Sequence, residues 1–230
     1  MPTLRYFGHS AFELTHDGTV ALIDPFITGC PTAAVSADEL NPTVILITHA
    51  HADHVGDAVP IAKRTGAPII TINELAGYLG QQGVETIGAN HGGTVAFEGG
   101  TVKFTPAWHS STIVDDDGAY VAPGVPAGLI VTLGEKKVYF AGDTALFLDM
   151  QLIGEEELDV AVLPIGDHYT MGPADAVRAA KFLRAKAVVP CHCNTFGLIE
   201  QDTEAFKKDL EEKTPSKGVI LKPGESWEIA

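Results

Sequence analysis

The stretch Thr48-His49-Ala50-His51-Ala52-Asp53-His54, THAHADH, places four side chains that bind metals well within six consecutive positions. It follows directly on Val44-Ile45-Leu46-Ile47, an apolar run that is typical of a strand buried on both faces. The first two histidines are two positions apart and point the same way on an extended backbone, whereas the aspartate and the last histidine are adjacent and diverge. One short loop therefore offers two pairs of ligands, which predicts a site for two divalent metal ions.

Three more stretches share this design, an apolar strand that ends in a histidine or an aspartate. They end at His109, Asp143 and His192. A lone residue of this kind is usually a cap or turn residue, but four such stretches in one chain favour a common site, because ligands in α/β folds bind beyond the carboxyl ends of strands. Seven ligands suffice for two metals if one carboxylate bridges them. A cysteine-free set of this kind favours Zn²⁺, with Mn²⁺ and Fe²⁺ as alternatives.

The pattern along the chain predicts an α/β protein. Short strands open it, two β-α repeats follow, a strand-rich middle comes next, and the alternation of strands and helices returns after position 143. We expect two mixed β-sheets flanked by helices, a four-layer αββα sandwich, in a single domain over residues 1–230. Five expectations are specific: a helix at Val55–Arg64, a second helix capped by Asn73, a long loop at Ser110–Pro126, a helix at Ala145–Gly154 and a last strand at Gly218–Lys222.

The signature and the residues that follow it resemble the metallo-β-lactamase superfamily. THAHADH matches its H-x-H-x-D-H signature, and the three later residues occur in the order that this superfamily uses. Further stretches resemble a family of small prokaryotic metal-dependent hydrolases, with L-ascorbate-6-phosphate lactonase and the N-acyl-phosphatidylethanolamine phospholipase D group as nearer relatives. The stretches that carry this second resemblance are Tyr6–Phe12, Leu22–Pro25, Ala141–Thr144, Pro164–Asp167 with Thr170–Pro173, and Pro190–His192 with Thr195-Phe196.

The resemblance assigns a metal to each of the seven residues: His49, His51 and His109 bind the first, Asp53, His54 and His192 bind the second, and Asp143 bridges the two. It implies a metal-dependent hydrolase of the metallo-β-lactamase fold. Our hypothesis for the chemistry is a hydroxide that bridges the two metals and attacks a carbonyl carbon or a phosphorus atom. We expect Asp53 also to steer this nucleophile.

Four residues outside the ligand set are candidates for supporting roles. His168, beside Tyr169, is a candidate general acid for the leaving group, and His9 is either a second such candidate or a residue that supports a loop. Asp24 ends a strand and is expected to orient a ligand imidazole, the alternative being a simple Asp-Pro turn. Asp167 also follows a strand end, so we expect it at the same rim.

The amino-acid composition restricts the classes of molecule that the protein can bind. A formal net charge of −15 excludes non-specific binding to nucleic acid and disfavours a stable association with anionic membranes. The start of the chain has no leader pattern, and the three cysteines are too few for a disulfide framework, so we expect a cytoplasmic protein. We expect a small-molecule substrate. Proteins of this fold often form oligomers, and a homo-oligomer stays open.

The chain carries only four arginines, and the predicted long loop carries the acidic run Asp115–Asp117. Phosphate groups usually meet Arg or Lys, so these features favour a neutral or modestly charged ester or lactone as substrate. Three alternatives stay open: a phosphodiesterase, a protein that binds metal and ligand without turnover, and redox chemistry at a di-iron site. Flavodiiron oxygen reductases share the fold but tend to carry a glutamate where this chain has His51, which argues against the redox alternative.

Overall fold

A computed structural model describes residues 1–115 and 117–230 of the chain. Two seven-stranded sheets lie face to face. The strands of the first sheet, in spatial order, are β16 (Ser226–Glu228), β1 (Thr3–Gly8), β2 (Ala11–His16), β3 (Thr19–Ile23), β4 (Val44–Leu46), β5 (Ile69–Ile72) and β6 (Thr86–Ala89). Strands β16 to β3 pair antiparallel, whereas β3 to β6 pair parallel, so the sheet is mixed.

The second sheet has the same mixed character. Its strands, in spatial order, are β15 (Lys217–Gly218), β14 (Ala187–Cys191), β13 (Val160–Pro164), β12 (Lys136–Phe140), β11 (Ala127–Leu133), β8 (Gly100–Pro106) and β7 (Thr94–Phe97). Strands β12 to β15 are parallel, and β7, β8, β11 and β12 pair antiparallel in turn. Strand β8 therefore runs in the same direction as β12 and β14.

Helices cover the outer face of each sheet. They are α1 (Ala52–Val55), α2 (Ala58–Thr65), α3 (Asn73–Gly80), α4 (Met150–Ile153), α5 (Pro173–Leu183) and α6 (Thr203–Lys213), with short 3₁₀ turns at Ala37–Glu39, Gly154–Glu156 and Gly197–Ile199. The first sheet packs against α2 and α3, and the second packs against α4, α5 and α6. The expected four-layer αββα sandwich is confirmed.

The apolar run before the signature explains how the layers form. Val44 and Leu46 point into the core between the two sheets, whereas Ile45 and Ile47 point into the core under α2 and α3. All four side chains are at most 1 % exposed. A strand that is covered on both faces has no polar side, which is why this stretch shows no alternation.

Several expected element boundaries are wrong. The helix expected at Val55–Arg64 is interrupted at Gly56, which has a φ of +43° and whose Cβ, if present, would lie 2.4 Å from the Pro25 carbonyl oxygen. The cap of α3 is Ile72, and Asn73 is already helical. The helix expected at Ala145–Gly154 begins only at Met150.

Two further expectations need correction. The segment Ser110–Pro126 is not a plain loop, because it contains the hairpin β9 (Ile113–Val114) and β10 (Tyr120–Val121). Local propensity is weak in strands of two residues, and the pairing decides them. The last strand expected at Gly218–Lys222 shrinks to β15, and the chain then returns to the first sheet as β16, beside β1. Asp115 and Asp117 of the acidic run lie between β9 and β10, and Asp116 is outside the described residues.

Candidate metal centre

The four stretches singled out by the sequence end at one edge of the sandwich. The signature follows β4 of the first sheet, whereas His109, Asp143 and His192 follow β8, β12 and β14 of the second. Backbone contacts join the two sheets here: the Ala127 N–H donates to the Thr48 carbonyl oxygen at 3.0 Å. Parallel strands deliver their carboxyl ends to the same edge, so residues as far as 143 positions apart in sequence converge.

The converging side chains form two clusters. One contains His49, His51, His109 and Asp143, the other His9, Asp53, His54 and His192, and within each cluster the potential ligand atoms all lie within 4.8 Å of one another. Asp143 touches both clusters. Its Oδ2 lies 3.1 Å from Nε2 of His192 and 3.5 Å from Nε2 of His109, and its Oδ1 lies 3.3 Å from Nε2 of His54. All seven side chains that the sequence predicted as ligands therefore lie together.

Unsatisfied polar atoms show that this donor set fits metal ions. His54 Nε2 and Asp143 Oδ1 are buried and have no hydrogen-bond partner, and the same holds for His192 Nδ1. A buried polar atom without a partner is costly, and the first two atoms face each other without making a hydrogen bond. Imidazole nitrogens and carboxylate oxygens are suitable ligands for first-row divalent metals. The two clusters are thus groups that can hold metal ions.

The pKa shifts of the clustered residues also indicate a site for a cation. Burial lowers the pKa of His54, but the carboxylates of Asp143 and Asp24 outweigh it and raise the pKa well above its usual value. Burial likewise lowers the pKa of His192, yet Asp143 and Asp53 raise it to about 9. Burial raises the pKa of Asp143, and the neighbouring imidazoles hold it well below its usual value. The carboxylates thus favour positive charge on the groups that face them, and a bound cation would supply such charge.

Asp24 orients His54 from behind. Its Oδ2 lies 2.8 Å from His54 Nδ1, which leaves Nε2 directed into the cluster. The carboxylate is fixed in turn by Thr48, whose N–H donates to Oδ1 at 2.8 Å and whose hydroxyl donates to Oδ2 at 2.7 Å. This is the arrangement in which a carboxylate sets the tautomer and the ring position of a ligating histidine.

His9 lies behind Asp53, in the turn between β1 and β2. It is fully buried, its Nε2 lies 3.1 Å from Asp53 Oδ2, and its Nδ1 lies 3.0 Å from Thr195 Oγ1. Burial lowers the pKa of His9 to about 4. A neutral imidazole between a hydroxyl and a carboxylate can hold Asp53 in place. Its carbonyl oxygen also accepts from the His192 N–H at 2.8 Å, so this turn positions two candidate ligands.

The loop that carries Asp167 and His168 lies beside the centre without entering it. Met171 N–H donates to the Thr144 carbonyl oxygen at 3.0 Å, next to Asp143. The Asp167 side chain is exposed, and its backbone closes a turn with Thr170 and Met171. His168 is exposed and packs edge-on against Tyr169, with ring centroids 4.5 Å apart.

Three supporting residues were missed by sequence reasoning. Thr48 fixes Asp24, Thr195 faces His9, and Ser111 accepts a hydrogen bond from the Ala50 N–H at 3.1 Å. Thr48 is part of the stretch THAHADH, so its position beside the candidate ligands could have identified it. Thr195 stands in a stretch that carries the family resemblance, but no local pattern assigned it a partner 186 positions away. Ser111 gave no signal, because a hydroxyl 61 positions from its partner looks like any other Ser in the sequence.

Comparison with known proteins places the chain in a family. Residues 19–193 match the family described as a beta-lactamase superfamily domain. Proteins named UPF0173 metal-dependent hydrolase are 52 % identical over 225 residues in Thermus thermophilus and 50 % identical over 228 residues in Methanopyrus kandleri, with at least 98 % of each chain covered. The solved structure of Igni18, a metallo hydrolase from the archaeon Ignicoccus hospitalis, is 41 % identical, with a TM-score of 0.90 over 100 % of this chain and 99 % of its own.

The chain belongs to the beta-lactamase superfamily, within the family of UPF0173 metal-dependent hydrolases. The resemblance drawn from the sequence is therefore confirmed, as are the fold class and the prediction of a metal-dependent hydrolase. In the part of the chain that the structure describes, no helix has the length and apolar character needed to span a bilayer.

Proposed function

We propose that this chain hydrolyses an ester, lactone or related bond in a small molecule, at a centre of two divalent metal ions. Zn²⁺ is the expected metal, because imidazoles dominate the ligands. The observation that carries the proposal is the position of Asp143, which is 2 % exposed and within 3.5 Å of imidazole nitrogens from both clusters. A carboxylate so placed is suited to bridge two cations.

Each cluster has its own metal in this proposal. His49, His51 and His109 hold the first ion, Asp53, His54 and His192 hold the second, and Asp143 is shared. When bound, two such ions supply an ionised water near neutral pH and a Lewis acid for the developing oxyanion. The protein fixes the geometry, since Asp24 sets the ring of His54 and His9 sets the carboxylate of Asp53.

Asp53 has a second role in the proposal, steering the nucleophile. Its side chain is 33 % exposed, against 3 % for Asp143, so it borders the space where a substrate would arrive. One carboxylate oxygen is held by His9 Nε2 at 3.1 Å. Burial raises the pKa of Asp53, but the imidazoles of His192 and His9 hold it far below its usual value, so it stays ionised and able to accept a hydrogen bond from water.

We assign the protonation of the leaving group to His168. Its exposed imidazole stands on the loop that Met171 attaches beside Asp143. Histidine is the side chain that most often transfers protons in general acid catalysis. The assignment predicts that His168→Ala slows substrates with poor leaving groups more than it slows p-nitrophenyl esters, whose leaving group needs no acid.

The test begins with the metal content of the purified protein and proceeds to turnover. We expect two metal ions per chain and hydrolysis of p-nitrophenyl acetate and a simple lactone that stops with a chelator and returns with Zn²⁺. Asp143→Ala should lower kcat by more than about 100-fold, since it removes a ligand rather than a supporting group. His16→Ala is the matched control, because His16 is the last residue of β2, beside Asp17, and lies outside both clusters.

Other outcomes would point elsewhere. Undiminished turnover by the Asp143→Ala variant in chelator would refute the two-metal mechanism. Faster cleavage of bis-p-nitrophenyl phosphate than of esters and lactones would favour the phosphodiesterase alternative. Two iron atoms with oxygen uptake would favour redox chemistry, and tightly bound metal with no turnover would indicate a binding protein.

A further inference from the structure

A cavity of about 930 Å³ opens beside the candidate metal centre. Its lining includes His51 and Asp53, one residue from each cluster. Residues of α1, α2 and α3, and β9 with Asp115 and Asp117 of the hairpin, line the rest. This volume falls within the range of small-molecule sites, which is about 300–1,000 Å³. A substrate whose scissile bond lies at the metals would therefore extend one arm into this cavity.

The apolar side chains that line the cavity come from four separate elements, and Gln81, Gln82 and Thr112 are uncharged polar members of the lining. The apolar side chains are Val55, Val59 and Pro60 from the region of α1 and α2, Tyr78 and Leu79 from α3, and Ile113 and Val114 from β9. Burying apolar surface against such walls contributes about 25 cal/mol per Å². An apolar arm gains from this contact, whereas a polar arm would lose its hydration for little return.

The charged groups that line the cavity are all acidic. Among its described lining residues there is no lysine or arginine, and Asp115 and Asp117 stand at the hairpin side. Asp115 is held in place, because its Oδ1 accepts from the N–H groups of Asp117 at 3.1 Å and Ala119 at 2.8 Å. The guanidinium of Arg64, on α2, is bound to Asn41 and to the carbonyl oxygens of Ala37 and Leu40. At the hairpin side, away from the proposed metals, an anionic arm would thus meet carboxylates, with no lysine or arginine among the described lining residues to offset them.

We propose that this cavity is a substrate subsite that takes an uncharged apolar arm, an alkyl or aryl group attached next to the scissile bond, and that Asp115 and Asp117 exclude anionic arms. The inference rests on the proposed hydrolase function. It narrows the substrate class to molecules with an apolar group on one side of the ester or lactone. The hairpin β9–β10 then has a function, since it supplies one apolar wall and both carboxylates.

Binding tests this subsite without any turnover. The probes are N-phenyl-1-naphthylamine, which is uncharged, and 1-anilinonaphthalene-8-sulfonate, which has a similar ring system and a negative charge. We expect the metal-loaded protein to bind the uncharged probe more tightly. Val114→Asp should weaken binding of that probe about tenfold, whereas Leu152→Asp, at a similarly exposed apolar position on α4, should leave it unchanged.

Two further substitutions test whether Asp115 and Asp117 exclude anionic arms. Asp115→Asn with Asp117→Asn removes both charges, and the asparagine at 115 keeps the oxygen that accepts the two backbone N–H groups. This double variant should bind the anionic probe more tightly and the uncharged probe as before. No binding of the uncharged probe, or equal binding by wild type and Val114→Asp, would overturn the subsite.

Measurements of turnover distinguish a failure of the proposed subsite from a failure of the proposed function. With p-nitrophenyl esters of two, four and eight acyl carbons, kcat/KM should rise with chain length. Val59→Trp, which fills part of the cavity, should lower kcat/KM for the longest ester more than for the acetate. Hydrolysis independent of chain length would remove the subsite and keep the hydrolase. Probe binding that responds to Val114→Asp, in a protein that cleaves no ester, lactone or phosphodiester, would keep the subsite and remove the proposed function.

Discussion

Several residues of the candidate site adopt a backbone conformation that side chains other than glycine rarely occupy. Eight non-glycine residues of the described chain have positive φ, and four of them, His9 (+53°), Asp24 (+43°), Asp167 (+67°) and His192 (+49°), lie in loops at this edge of the sandwich. Such a conformation costs roughly 1–3 kcal/mol and persists only where other contacts fix it. Here those contacts are the hydrogen bonds that support the candidate ligands. The unfavourable backbone conformation therefore lowers the net stability of the fold, in exchange for a site that is already formed.

Asp24→Asn tests the orienting role at the scale of one residue. Asparagine tolerates the left-handed backbone and keeps one oxygen, but it loses the charge that fixes the proton on His54 Nδ1. We expect a roughly 10–100-fold loss of affinity for the second metal with the fold intact. Competition with a chromogenic chelator measures the affinity, and circular dichroism checks the fold.

The matched control for this substitution is Asp57→Asn. Asp57 is also a loop carboxylate that accepts three hydrogen bonds, two from backbone N–H groups at Ile27 and Thr28 and one from the Thr28 hydroxyl. It contacts no candidate ligand in these bonds. If Asp57→Asn weakened metal binding as much as Asp24→Asn does, the effect would be general loop loosening and the specific role of Asp24 would be lost.

At the scale of the element, the ends of β4 and β12 meet at Gly142, one residue before Asp143. Gly142 has a φ of +61°, and a Cβ on it would lie 2.9 Å from Thr48 Cβ and 3.0 Å from the Ala127 carbonyl oxygen. Only glycine permits this close approach of the two sheets. The approach matters for the site, because Thr48 fixes Asp24 and the next residue along from Gly142 is the proposed bridge.

Gly142→Ala should therefore reduce both stability and metal binding. The positive φ costs about 1 kcal/mol for an alanine, and the contact with Thr48 and Ala127 adds to it. Urea unfolding measures the first effect and metal titration the second. Gly83→Ala is the control, with a φ of +80° and no atom within 4 Å of the added Cβ. Equal losses in the two variants would mean that backbone strain alone is responsible.

At the scale of the whole molecule, each sheet supplies part of the candidate centre. The first sheet carries His9, Asp24 and the signature, and the second carries His109, Asp143 and His192. In the proposed arrangement each metal takes ligands from both sheets, so it cross-links the two halves of the sandwich. A ligand that binds only the folded state stabilises it by about 2.7 kcal/mol at 100 times its Kd.

Metal removal should accordingly lower the melting temperature. For a chain of 230 residues, a change of that size corresponds to roughly 5–10 °C. Differential scanning calorimetry of the metal-free protein, with Zn²⁺ titrated back, measures the shift. The metal-free Asp143→Ala variant should show a smaller response to Zn²⁺. An unchanged melting temperature after full metal removal would argue against a cross-link between the sheets.

The sequence by itself determined the family, the layer order and the set of candidate ligands. These are carried by short-range patterns: four ligand side chains within six positions, apolar runs without alternation, and strands that each end in a histidine or an aspartate. Such patterns can be recognised without knowledge of long-range contacts, because each one reflects the surroundings of a single helix, strand or loop. Cytoplasmic location, assembly state and the identity of the metal stay predictions from the same source.

Only the tertiary structure decided what supports those ligands and what lies beside them. His9 meets Asp53 across 44 positions and Thr195 across 186, the chain returns as β16 to pair with β1, and α1, α3 and β9 enclose one cavity. The hydroxyls, the two-residue strands and the cavity walls have no local pattern of their own. Their roles arise from the packing of the two sheets, which brings distant parts of the chain within a few ångströms.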